Sequence, residues 1–67
     1  MAGEQEEELY AALDRLPEDY AQVLRLRYVE GLPFEEVGER MKRSANAVRK
    51  LWARAVEKLQ EELDAPP

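Results

Sequence analysis

The 67-residue chain contains no cysteine and no histidine. Without Cys there is no disulfide to staple so small a fold, and without either residue a transition-metal site has no usual ligands. The lack of Cys also fits a cytosolic setting. No apolar run approaches the roughly 20 residues of a membrane span, and no signal-peptide pattern is present, so no membrane association is expected. There is one serine, Ser44, and no threonine. Nothing alternates with period two, so no strand is expected. Repeats and low-complexity linkers are absent. These gaps leave little for catalysis. The single serine falls at a helix cap, and the many carboxylates fall on solvated helix faces. A non-enzyme without cofactor is expected.

What the chain has is charge, unevenly placed. The net charge is −5. Between Arg40 and Lys58, however, seven basic residues face one acid, Glu57, for a local +6, while the remainder carries −11. Such segregation points to a basic working face on an acidic body. The densest part is RSANAVRKLWARA, residues 43–55, which holds four of the ten basic residues.

Hydrophobic periodicity predicts an all-α fold, a small bundle of four or five helices. The first helix runs from about Glu6 to Arg15, with Leu9, Leu13 and Leu16 on one stripe and acids in its first turn, where the helix dipole favours them. Residues 1–5 form a flexible acidic lead-in, residues 6–63 the domain and residues 64–67 a tail. Pro17 opens a second helix, which stops at Gly31. Its stripe is Tyr20, Leu24 and Tyr28 with Val23 alongside. Leu26 and Val29 lie on another side, so this helix should touch more than one neighbour. The third helix spans about Phe34 to Met41. Gly38 inside it costs about 0.5–1 kcal/mol relative to Ala, a cost that close approach of another helix would explain. Ser44 is the N-cap of a fourth helix reaching about Leu63, roughly 28 Å at 1.5 Å per residue.

On a 100° wheel the fourth helix divides cleanly. Val48, Trp52, Ala55 and Leu59 cluster within about 60° and form its core face, flanked by Leu51 and Leu63. The opposite side carries Asn46, Arg49, Lys50, Ala53, Arg54 and Glu57. Trp52 is read as a core aromatic, and Tyr10, Tyr20 and Tyr28 as core edges. A short helix, a three-residue turn and a longer helix with a basic N-terminal face is the helix-turn-helix layout. In it the second helix enters the major groove, where Arg pairs with guanine and Asn with adenine. Lys42 and Arg43 in the turn would reach phosphates. Charge and spacing leave two other readings open: a regulator binding operators as a dimer, and a protein-interaction bundle without DNA binding.

The stretch from about Leu13 to Leu63 resembles region 4 of bacterial RNA polymerase sigma factors of the sigma-70 family, in its extracytoplasmic-function (ECF) type. The resemblance is carried by the LP start of the second helix, LRYVEGL, FEEVGERM, and S-x-x-x-V-R with the later R-A and Leu59. It implies a bundle ending in a helix-turn-helix, recognition of the promoter −35 element, docking on the flap of the polymerase β subunit, a bacterial cytoplasmic location and an anti-sigma factor as a further partner. By position it implies Arg49, Lys50, Ala53 and Arg54 as base and backbone readers, with Asn46 and Ala47 at the helix tip. A monomer is expected. Four positions depart from the pattern. Lys42 stands where Gly is usual, Pro33 where Ser or Thr caps, and Gly38 where Ala is commoner; Ala53 is small where some relatives carry a larger side chain. The chain has no room for the −10-melting domain of a sigma factor, so it is expected to be an excised domain.

Overall fold

A computed structural model describes the backbone of residues 2–64 and the side chains of residues 7–64. Its elements are α1 (Ala2–Asp14), α2 (Glu18–Leu24), a π-helical segment continuing α2 (Arg25–Val29), α3 (Phe34–Met41) and α4 (Ala45–Asp64). Among the described residues there is no strand. The fold is the expected all-α bundle. α1 begins ahead of the expected Glu6 and ends one residue before Arg15. α3 has the expected bounds. Met1 of the expected lead-in and residues 65–67 of the expected tail lie outside the described residues.

α2 and α3 start in the same way. Pro17 and Pro33 are extended, at ψ 149° and 157°, and neither helix has a side-chain cap. In each case the proline carbonyl accepts the first helical bond, from Ala21 N–H and Val37 N–H at 3.0 Å. Acids occupy both first turns, Glu18 and Asp19 in α2, Glu35 and Glu36 in α3, where they complement the dipole that no hydroxyl caps. α4 differs. The Ser44 hydroxyl accepts the Ala47 N–H at 3.1 Å, the expected N-cap.

α4 packs against α1, α2 and α3, and α2 also contacts α1. Val48, Leu51, Ala55 and Leu59 supply the buried face of α4, against Leu13, Val23, Leu24 and Val37. Trp52 is half-buried, at the edge of this core. Leu63, expected to flank it, is 47% exposed.

The second helix departs from its expected stripe. Leu24 and Leu26 are buried, but Tyr28 is 58% and Val29 51% exposed. The cause is the π-helical turn. Glu30 N–H reaches back five residues to Arg25 O at 3.1 Å, and the wider turn advances less than 100° per residue, so a 3.6-residue phase fails beyond Leu24. Gly31 then closes the segment at φ 69°, a left-handed conformation that glycine adopts without penalty.

The corner between α3 and α4 is a Schellman motif. Arg43 N–H bonds to Gly38 O at 2.8 Å and Lys42 N–H to Glu39 O at 3.3 Å, the paired six-to-one and five-to-two bonds of that motif. Lys42 sits at φ 58°, ψ 45°, the left-handed position where Gly is usual. A Cβ on Gly38 would lie 2.5 Å from the Arg43 carbonyl oxygen. Gly38 thus accommodates the turn rather than the face of another helix, which corrects the expected reason for a glycine there.

Two substitutions at this corner should move stability in opposite directions. Gly38→Ala should destabilise by about 1–2 kcal/mol, the overpacking cost exceeding the gain in helix propensity. Lys42→Gly should stabilise by about 0.5–1 kcal/mol by relieving the left-handed lysine. In a domain this size about 1 kcal/mol moves Tm by 4–8 °C. Thermal denaturation followed by circular dichroism reads both, and a Gly38→Ala protein as stable as the parent would contradict the contact.

Candidate nucleic-acid interface

The corner fixes how α4 is presented. Its Schellman bonds end at Arg43, the Ser44 hydroxyl caps α4 through the Ala47 N–H, and the first turns of α4 bury Val48 while their outer side faces solvent. Asn46, Arg49, Lys50, Ala53 and Arg54 are all exposed, as is Glu57. Ala47 is half-buried beside them. Lys42 and Arg43 are exposed on the corner itself. Of the eight residues singled out from the sequence, seven are thus exposed and Ala47 is half-buried, along the corner and the first half of α4.

The electrostatics of this surface are one-sided. α4 has no acid in its first turn, unlike α2 and α3. The partial positive charge of its N-terminus is thus left uncompensated, and backbone N–H groups with a helix dipole favour an anion such as phosphate. Among the described residues, Lys42, Arg49, Lys50 and Arg54 have no carboxylate within ion-pair distance. Further along, Glu57, Glu61, Glu62 and Asp64 make the far end of α4 acidic. The basic surface is confined to the end next to the corner.

Arg43 is the exception. Its guanidinium lies 3.8 Å from Asp19 at the start of α2, both groups being about two-fifths exposed. An exposed pair at that distance contributes about 0–1 kcal/mol, so Arg43 can exchange Asp19 for a phosphate at little cost.

Arg49 has a partner that the sequence reading did not foresee. Its guanidinium carbon lies 5.6 Å from the centre of the Phe34 ring, and that of Arg27 lies 4.4 Å from the same ring. Phe34 stands edge-on to Trp52 at 6.0 Å, and Trp52 contacts Tyr28 at 4.8 Å. Trp52 is therefore packed between aromatics and does not present a free stacking face, in line with its reading as a core aromatic. This cluster joins the π-helical segment, the first residue of α3 and the second turn of α4. No periodicity links residues on three elements, so the wheel of α4 could not show it.

Away from this surface lies a groove whose lining includes the apolar residues Leu13, Leu16, Ala21 and Leu26 together with Asp14, Glu18, Arg25 and Glu30. None of its lining comes from α3 or α4. Among the described residues no helix is long and apolar enough to cross a membrane.

In comparison with known families, the model described as sigma-70, region 4, aligns with residues 6–59. The chain belongs to the sigma-70 region 4 family. No curated protein and no solved structure matches it. Sigma-70 region 4 is a DNA-binding domain of the transcription machinery and not an enzyme family. Its members interact with DNA and RNA polymerase. The family match covers α3, the corner and most of α4, the elements that carry the basic surface.

Asp19→Asn should release Arg43 and remove one repelling carboxylate. DNA affinity at low salt is then expected to rise about two- to five-fold, the scale of an exposed ion pair. Fluorescence anisotropy with a labelled duplex reads it, and unchanged affinity would remove Arg43 from the interface.

Proposed function

We propose that this region 4 domain, of ECF type, recognises a promoter −35 element in the bacterial cytoplasm by inserting the N-terminal half of α4 into the major groove. The observation that carries this reading is the basic, acid-free outer face at the start of α4, next to the α3–α4 corner. Arg49 and Arg54 are suited to guanine O6 and N7, and Asn46 to adenine N6 and N7. Lys50 reads bases or binds backbone alongside them. The methyl of Ala53 is small enough to meet a thymine methyl, and Ala47 lets the helix tip approach closely. Lys42 and Arg43 on the corner bind phosphates and set the register. The second half of the function is docking on the polymerase β-flap. The groove lined by Leu13, Leu16, Ala21 and Leu26 supports it, since an α4 engaged in DNA leaves that groove open. An anti-sigma factor would compete for the same exposed surfaces.

An isolated module with so few contacts binds DNA weakly, and its binding is dominated by phosphates. With about four phosphates neutralised, log K should fall with log salt at a slope near −3.6. Arg49→Ala and Arg54→Ala should each cost about 1–3 kcal/mol of discrimination at the base pair concerned. Unchanged selectivity in both would overturn the assignment of readers.

Calorimetric titration with an isolated β-flap fragment tests the polymerase half. Saturable binding is expected. No binding at high concentration, together with a stable dimer in sedimentation, would favour an operator-binding regulator with half-sites about one helical turn apart.

A further inference from the structure

The surface residues of α4 are not equivalent. Among the described residues, Lys50 and Arg54 have neither an acid nor an aromatic ring as partner, whereas Arg49 lies against Phe34. The Phe34 ring is itself held. Trp52 meets it at an interplanar angle of 72°. On the ring sits Arg27, whose own guanidinium donates to the Leu32 carbonyl at 2.9 Å. That hydrogen bond ties Arg27 to the loop leading into α3, so both the ring and its first cation are fixed by the bundle.

A ring fixed in this way offers Arg49 one preferred direction. The ring face is negative and attracts a guanidinium, while Arg27 nearby repels it. Attraction to the ring and repulsion from the anchored Arg27 together limit where the Arg49 head group can rest. An unrestrained arginine on a helix surface samples many rotamers, and binding must freeze them. A side chain already confined loses less, and that saving appears as affinity and selectivity.

We propose that Phe34 is a positioning residue for Arg49, its ring, fixed by Trp52 and the anchored Arg27, orienting the Arg49 guanidinium toward the DNA before DNA arrives. Phe34 touches no base. It acts through Arg49, and the proposal rests on the reading of Arg49 as a base-contacting residue.

The test is a double-mutant cycle in this 67-residue chain, read out by selection from a duplex library randomised in its centre. Phe34→Leu, Arg49→Ala and the double variant are compared, with folding checked by circular dichroism. Phe34→Leu is expected to lower discrimination at the base pair that Arg49 reads by about two- to five-fold, the range of an exposed cation–π contact. Discrimination at the other base pairs and the salt slope should hold. The double variant should be no worse there than Arg49→Ala alone, and Phe34→Tyr, which keeps a ring, should restore the parent profile. A purely structural role would weaken all base pairs together and would be additive with Arg49→Ala, and either result overturns the proposal. If Arg49→Ala leaves selectivity unchanged, the assignment of Arg49 as a reader fails and the positioning role fails with it. If Arg49→Ala matters and Phe34→Leu does not, only the positioning role is lost. Should Phe34→Leu not fold, the free parent protein still decides: the Arg49 side-chain resonances should be shifted by the Phe34 ring current and show restricted motion by NMR relaxation. Unshifted, freely rotating resonances would overturn the proposal.

Discussion

The two backbone bonds that close the α3–α4 corner, from Arg43 to Gly38 and from Lys42 to Glu39, set the position of everything α4 presents. A corner made by backbone bonds is tighter than one made by side chains. It needs a left-handed residue at position 42 and no Cβ at position 38, where the Arg43 carbonyl occupies the space. Once it is closed, Ser44 follows as N-cap and α4 can leave α3 in only one direction. Val37 on α3 and Val48 on α4, both fully buried, then lock the two helices onto the core. The exposed face of α4 follows from that locking, since the residues opposite Val48, Leu51, Ala55 and Leu59 have no other side to occupy.

Charge is distributed so that the exposed face remains basic. Arg15 pairs with Glu62 at 2.8 Å and Arg25 with Asp14 at 3.0 Å, joining the residue after α1 to α4 and the end of α1 to the π-helical segment. Arg40 lies near Glu30 and Glu36. These exposed pairs add little stability. Their effect is that Arg15, Arg25 and Arg40 are matched locally by acids, while Lys42, Arg49, Lys50 and Arg54 have none within ion-pair distance among the described residues. An acid in the first turn of α4 would stabilise the helix end, as Glu18 and Glu35 do in α2 and α3. Its absence gives up that stabilisation, and the gain is a helix terminus still able to meet an anion.

The sequence made much of this legible because the deciding signals are local. The bounds of α3, the Ser44 cap and the two-sided α4 each depend on residues within one or two turns. The exposed positions of Asn46, Arg49, Lys50, Ala53 and Arg54 follow from the α4 wheel, whereas Lys42 and Arg43 came from the turn and Ala47 from the family resemblance. What was not legible depends on contacts between elements or on a change of helical pitch. The π-helical turn shifts the phase of Tyr28 and Val29, and no residue type in RLRYV announces it. The Arg43–Asp19 pair and the meeting of Arg27 and Arg49 on Phe34 appear only once the helices are packed. Gly38 was recognised as a close approach, but the approaching group is the carbonyl of its own turn, five residues on.

The acidic body also bears on how such a domain meets DNA. At physiological salt, fields fade over roughly 8 Å, so a phosphate backbone responds to the nearest face of the protein rather than to its net charge. With the corner leading, that face is basic. With the far end of α4 leading, Glu61, Glu62 and Asp64 meet the phosphates and are repelled. The charge pattern therefore selects an orientation more than it adds affinity. Under the proposed docking on polymerase, that division is appropriate. Tethering raises the effective concentration without any new contact, so the domain does not need strong binding of its own. It does need to reject the wrong approach, and the acids on the body and the far end of α4 provide that rejection.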